Sequence, residues 1–106
     1  MLAELTNQDF EAKVLASPVP VLVDFWAVSC GGCQMISKIV EQVAEEMAGV
    51  ASVFKYEIKD VNDPILARYK VSTLPTLHFF KGGELKDTIV GTTTKSNITN
   101  RLQALV

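Results

Sequence analysis

The chain has 106 residues, 48% of them apolar, and a formal net charge of -2 at pH 7. That length suits one domain with a single core, spanning residues 1–106, and leaves little room for a second module. The slightly acidic balance, with no cluster of Lys and Arg, argues against a nucleic-acid partner, and no apolar run is long enough to span a membrane as a helix.

Taken in order, Met1-Leu2-Ala3-Glu4-Leu5 has neither the basic start nor the long apolar stretch of a signal peptide, so a cytoplasmic, reducing location is expected. Residues 2–5 are candidates for a short edge strand. Thr6-Asn7-Gln8-Asp9 reads as a helix start, with Thr6 as N-cap and Asp9 near the helix N-terminus, where its charge is favoured. Phe10, Val14 and Leu15 would face inward, and Ser17-Pro18-Val19-Pro20 ends the helix because proline lacks an N–H and restricts its predecessor. Val21-Leu22-Val23-Asp24-Phe25-Trp26 is a near-continuous apolar run with one acid inside it. Such a run predicts a strand buried on both faces, as in a parallel sheet covered by helices.

After the segment Ala27–Gln34, apolar residues Ile36, Ile39, Val40, Val43 and Met47 recur at helical spacing, opposite Lys38, Glu41, Gln42, Glu45 and Glu46. Gly49 breaks that helix. Val50 to Ile58 is a second strand. Asp63-Pro64 starts a short helix, with Asp63 as cap and Pro64 at the first helical position; Ile65, Leu66 and Tyr69 pack it. Val71–Pro75 is a loop leading into a strand at Thr76–Phe80. Lys81-Gly82-Gly83-Glu84 is a hairpin turn, since paired glycines allow the positive φ angles a tight hairpin needs. Leu85–Val90 returns antiparallel, Gly91 breaks it, and a last helix from about Thr94 buries Ile98, Leu102 and Leu105. Two strands joined by a helix imply a right-handed parallel connection. With the terminal hairpin added, the pattern predicts an α/β mixed sheet with helices on both faces.

Both cysteines, Cys30 and Cys33, fall between the first long strand and the first long helix. A Cys-x-x-Cys in that position is the sequence form of a dithiol redox site. Cys30 would sit among unpaired backbone N–H groups at the positive end of the helix dipole, which stabilises a thiolate. That thiolate attacks a substrate disulfide, and Cys33 resolves the mixed disulfide. Asp24 is either a strand-end acid facing solvent or a buried carboxyl with a raised pKa that takes the proton of Cys33, through water. A zinc site is the rival reading of the cysteine pair, but zinc normally takes four ligands and the chain has one histidine. His78 reads as a packed or partly exposed side chain rather than a ligand, so neither a metal nor an organic cofactor is expected. An inert pair on a binding module is the other rival.

From end to end the chain resembles the thioredoxin family. The resemblance rests on Asp24-Phe25-Trp26-Ala27-Val28-Ser29-Cys30-Gly31-Gly32-Cys33-Gln34-Met35, on Leu74-Pro75-Thr76, and on Phe80-Lys81-Gly82-Gly83-Glu84 followed by Val90-Gly91, at family-like spacing. It implies a thioredoxin fold, a central mixed sheet of four or five strands flanked by four helices. It also implies a protein-disulfide reductase acting through a Cys30–Cys33 couple, with protein disulfides as substrates and a thioredoxin reductase or other electron donor. By the same resemblance Pro75 is cis and lies against the disulfide, and Leu74 offers main-chain hydrogen bonds to an extended substrate. Trp26, Ser29, Gly31, Gly32 and Gly91 border the substrate groove. A monomer is expected.

Five departures from the family pattern mark the chain as an atypical member with a Cys-Gly-Gly-Cys site. Ser29 stands where the family usually has Trp, which removes an apolar surface beside the nucleophile and points to an atypical donor or a dedicated target. Gly32 replaces a proline between the cysteines and loosens the reduced loop. Gln34 replaces a lysine and so removes a cation near the thiolate. Lys38 replaces the proline that bends the long helix, predicting a straighter one. The lysine that usually partners the buried acid falls at Tyr56, which leaves Asp24 without a cation; Lys55 or Lys59 would substitute only under a different strand register.

Overall fold

The computed structural model describes residues 2–106; Met1, the first residue of the expected domain and of the segment weighed as a leader, lies outside the described residues. In chain order the elements are β1 (Ala3–Glu4), a π-helical segment (Glu11–Leu15), β2 (Val21–Trp26), α1 (Gly31–Glu46), β3 (Ser52–Glu57), α2 (Pro64–Arg68), β4 (Thr76–Lys81), β5 (Glu84–Val90) and α3 (Lys95–Gln103). The strands form one sheet in the order β1-β3-β2-β4-β5. β3 runs parallel to both β1 and β2, whereas β4 is antiparallel to β2 and β5.

β2 takes the centre because its sequence leaves it no face for water: Val21 through Phe25 are all buried. Alternation along the strand sends its side chains to two separate cores. Leu22 joins Ile36, Val40, Leu77, Phe79, Ile98 and Leu102 on the face that α1 and α3 cover. Val21, Val23 and Phe25 join Phe10, Tyr56 and Phe80 on the other face. Burial of this kind contributes about 1.5–3 kcal/mol per large apolar side chain, an upper figure relative to a fully extended chain.

Local signals hold the ends of the elements. Asp63 Oδ1 accepts from Ile65 N at 3.0 Å with Pro64 at the first helical position, and Thr94 Oγ1 accepts from Asn97 N at 3.2 Å at the start of α3. Gly82 and Gly83 adopt φ of 61° and 81° in the β4–β5 turn, the paired positive values of a two-residue hairpin.

The first helical segment departs from the expected one. Thr6 and Asp9 do bond reciprocally, Thr6 N to Asp9 Oδ1 at 2.7 Å and Asp9 N to Thr6 Oγ1 at 3.2 Å. A turn over residues 7–9 intervenes, however, and the helical part is wide, with Ala16 N reaching back to Glu11 O at 3.0 Å. Phe10 and Val14, four apart, still face the core. β3 is shorter than the apolar stretch Val50–Ile58, since Val50 and Ala51 both donate to Met47 O to close the end of α1.

Candidate active site

The helix that follows β2 starts inside the cysteine segment. Cys30 is the N-cap of α1, with extended backbone (φ -89°, ψ 110°), and Cys33 lies in the first turn. Cys30 N donates to Ala27 O at 3.1 Å and Cys33 N to Cys30 O at 3.3 Å, which folds the loop tightly enough to bring the side chains together. The two cysteines form a disulfide with Cα atoms 5.4 Å apart, inside the usual span for a bridge. Their surroundings differ: Cys33 is 1% exposed, while Cys30 is half-buried at the rim. Ser29 and Gly31 flank Cys30 on the surface, beside the exposed side chain of Val28.

Two other loops close on this turn. The Leu74–Pro75 peptide is cis, and Pro75 O accepts from Gly91 N at 2.8 Å. Gly32 packs against both loops. A Cβ built on it would lie 3.2 Å from Thr92 Cγ2 and 3.6 Å from Pro75 Cδ. Among the described residues, neither the N–H nor the C=O of Leu74 takes part in a backbone hydrogen bond. Beyond Leu74 an open groove of about 590 Å³ continues along Ile58, Val61, Leu66, Ala67 and Val71.

Asp24 lies on the face of β2 that α1 covers, since Leu22 two residues earlier belongs to the same core cluster as Ile36 and Val40 of α1. Its side chain is fully buried, and neither oxygen has a hydrogen-bond partner. Burial pushes the carboxyl up to about 7, with Lys55 pulling it down and Glu4 pushing it further up. Register explains the Lys55 effect. Asp24 pairs with Lys55 and Phe25 pairs with Tyr56, so Lys55 shares the face of Asp24 while Tyr56 points into the opposite core. The expectation that Tyr56 leaves Asp24 without a cation is therefore corrected: Lys55 is level with the acid. Trp26, two residues along on the same face, carries the Lys55 ammonium 5.4 Å from its ring centroid.

The thioredoxin family profile matches residues 1–104. The chain belongs to the thioredoxin family. Thioredoxin 1 of Nostoc sp. is 39% identical over 101 residues, covering 95% of this chain and 94% of its own. The thioredoxin of Pyropia yezoensis is 38% identical over 105 residues, covering 99% and 97%. A chloroplastic M-type thioredoxin of Spinacia oleracea is 36% identical over 100 residues, covering 94% of this chain and 55% of its own.

The protein is thus a thioredoxin-type thiol-disulfide oxidoreductase, a protein-disulfide reductase whose dithiol/disulfide pair is Cys30–Cys33. Its fold is the α/β thioredoxin fold, a five-stranded mixed sheet with four helices. Family membership implies protein disulfide substrates and a reductase donor. No helix among the described residues is long and apolar enough to cross a membrane.

The structure also brings to the site residues that the sequence alone did not single out. Glu4 ends β1 with one carboxylate oxygen 2.8 Å from Glu57 N and 3.4 Å from Trp26 Nε1. Thr92 Cγ2 lies 3.2 Å from the place a Cβ on Gly32 would take. Nothing local marks Glu4 or Thr92, whereas the sequence already offers Lys55 as a partner of Asp24 under a different strand register. His78 lies away from the cysteines, packed in the other core with its ring centroid 5.1 Å from that of Phe25.

Proposed function

We propose that Cys30 is the attacking thiolate, Cys33 the resolving thiol and Asp24 the group that exchanges a proton with Cys33. The contrast between half-buried Cys30 and buried Cys33, joined across the first turn of α1, carries this reading. A substrate disulfide reaches the less buried Cys30 rather than Cys33, and the unpaired N–H groups and dipole of the helix start favour its charged form. Attack by Cys30 Sγ breaks the substrate S–S bond and releases one substrate thiolate. Asp24 carboxylate takes the Cys33 proton, and Cys33 Sγ then attacks Cys30 Sγ. The second substrate thiolate leaves, and the Cys30–Cys33 disulfide remains for a reductase to reduce.

Leu74 and Pro75 dock the substrate backbone in this reading, supported by the unpaired N–H and C=O of Leu74 beside the site. Trp26, Ser29, Gly31, Gly32 and Gly91 border the groove. The whole of residues 1–106 acts as one domain and as a monomer, without nucleic acid or membrane, in a reducing compartment such as the cytoplasm, where a disulfide reductase can be kept reduced.

The Cys-Gly-Gly-Cys sequence makes this an atypical member, and the small, exposed Ser29 favours a second reading of its partners. A dedicated reductase or a single target then replaces the general thioredoxin reductase, because Ser29 offers no large apolar side chain next to Cys30 for a general partner to grip. Dithiothreitol-driven reduction of insulin tests the catalytic assignment. Wild type accelerates it and Cys30→Ser abolishes the acceleration; equal rates for the two would rule out Cys30 as the nucleophile.

A further inference from the structure

Glu4 has no part in the mechanism above, yet it is tied to three of the groups around Asp24. The registers of β1, β3 and β2 place Glu4, Lys55 and Asp24 in one row across three parallel strands. Registered neighbours in a parallel sheet share a face, so the row reads acid, cation, acid, with Lys55 paired directly to Glu4 and acting on Asp24 only through its charge. Lys55 Nζ lies 4.0 Å from Glu4 Oε1. The other carboxylate oxygen of Glu4 accepts from Glu57 N at 2.8 Å, continuing the ladder where β1 ends, and from Trp26 Nε1 at 3.4 Å.

The rest of the face adds little charge. β4 sets Leu77 beside Asp24, α3 contributes the apolar Ile98 and Leu102 to this core, and α1 contributes the buried thiol position Cys33. Glu57 follows Lys55 on the same face and is paired with Lys59 at 3.7 Å.

Resting on the assignment of Asp24 as proton acceptor, we propose that Glu4 is a positioning residue of the redox site. By sharing Lys55 with Asp24 and tethering the indole of Trp26, it decides how firmly the Asp24 carboxyl holds its proton. It thereby sets the pH above which Cys33 is deprotonated for its attack on the mixed disulfide. An ammonium beside Asp24 favours the carboxylate, and a second carboxylate on that ammonium weakens the effect and adds repulsion of its own. The direction of the Glu4 effect on Asp24 agrees with this. The proton balance is simple: Asp24 carboxylate gains the Cys33 thiol proton, Cys33 Sγ displaces the substrate thiolate from Cys30, and the acid later returns its proton to solvent. Because Glu4 and Lys55 are both partly exposed, salt screens their part of the coupling.

Carbon-detected NMR titration of the Asp24 carboxyl in the reduced full chain tests the proposal, with Asp24→Asn identifying the resonance. Glu4→Gln keeps an acceptor for Glu57 N and Trp26 Nε1 while removing the charge. It moves the Asp24 midpoint to lower pH and leaves the emission of Trp26, the chain's one tryptophan, where it was. Glu4→Ala lowers the midpoint and also shifts the emission, whereas Lys55→Met raises the midpoint. Glu4→Asp, which draws the charge back by one methylene, gives a smaller downward shift and serves if Glu4→Gln folds poorly. The pH profile of insulin reduction moves in the same order across the set. A midpoint unchanged or raised in Glu4→Gln and in Glu4→Asp overturns the proposal. An Asp24 midpoint that falls in Glu4→Gln while Asp24→Asn leaves insulin reduction unchanged would instead overturn the assignment of Asp24 as proton acceptor.

Discussion

Asp24 and Lys55 stand level with each other on adjacent parallel strands, the first fully buried and the second partly open to solvent. The pair does not satisfy the acid: both Asp24 oxygens remain without a hydrogen-bond partner, and its pKa rises from 3.8 to about 7. Burial outweighs the nearby cation, so the acid holds its proton at pH values where an exposed carboxyl has lost it.

Stability follows from that rise with a definite sign. The folded state binds the Asp24 proton more tightly than the unfolded chain does. The resulting stabilisation is full below about 3.8 and is lost as the pH rises through about 7. Asp24→Asn removes this loss, so above pH 7 the variant is more stable than wild type. The gain is at most about 1.4 kcal/mol for every tenfold by which folding tightens proton binding. Denaturant titrations of the two proteins at a series of pH values measure it, and a variant less stable than wild type at pH 8 would contradict the assignment.

His78 works in the opposite direction. It is 2% exposed, its Nδ1 is unpartnered, and burial lowers its pKa from 6.5 to about 4. The folded state prefers the neutral ring, so this contribution is full above about 6.5 and is lost as the pH falls through about 4. Between these values Asp24 and His78 oppose each other. His78→Leu exposes the slope of Asp24, with stability falling as pH rises from 4 to 6.5. Asp24→Asn exposes the rising slope of His78. Equal slopes in both single variants would show that neither group titrates as described.

Asp63 does two jobs with one carboxylate. Oδ1 caps α2 through Ile65 N, and Oδ2 accepts from Tyr56 Oη at 2.6 Å. Burial first, and this bond second, hold the phenol proton well beyond the usual tyrosine range. Tyr56→Phe costs about 1 kcal/mol for one hydrogen bond. Asp63→Ala costs about 2 kcal/mol, because the cap goes too and the Tyr56 hydroxyl is left buried without a partner. Urea unfolding midpoints rank the two variants.

Much of the frame could be read locally. Asp63-Pro64, Thr94 and Gly82-Gly83 each act within three or four residues, and the apolar spacing from Ile36 to Met47 fixes the buried face of α1 by itself. Strand register could not be read so. Lys55 and Tyr56 are neighbours in β3, and only the pairing of Val21 with Ser52 decides which of them faces Asp24. The same limit hid Glu4, whose bond to Glu57 spans 53 positions from a two-residue strand. It hid Thr92 as well, which reaches Gly32 only through the folded loops.

That last contact gives a coupling prediction. Alanine in place of glycine inside a helix gains up to about 1 kcal/mol, but at Gly32 the new methyl group sits 3.2 Å from Thr92 Cγ2, so Thr92 must yield. Gly32→Ala alone gains little, and Gly32→Ala with Thr92→Ala gains more than the sum of the singles. A double-mutant cycle on unfolding free energies reads the difference; strict additivity would mean that Thr92 rotates away at no cost.

Trapping the mixed disulfide tests the central claim most directly. Reduced Cys33→Ser, mixed with a disulfide-bonded protein substrate, is expected to accumulate a covalent adduct through Cys30, since no resolving thiol remains. Reduced Cys30→Ser is expected to give none, because Cys33 is buried. Mass spectrometry after non-reducing digestion locates the bond. An adduct through Cys33 in the Cys30→Ser protein, formed as fast as the one through Cys30, would contradict the division of labour between the two sulfurs.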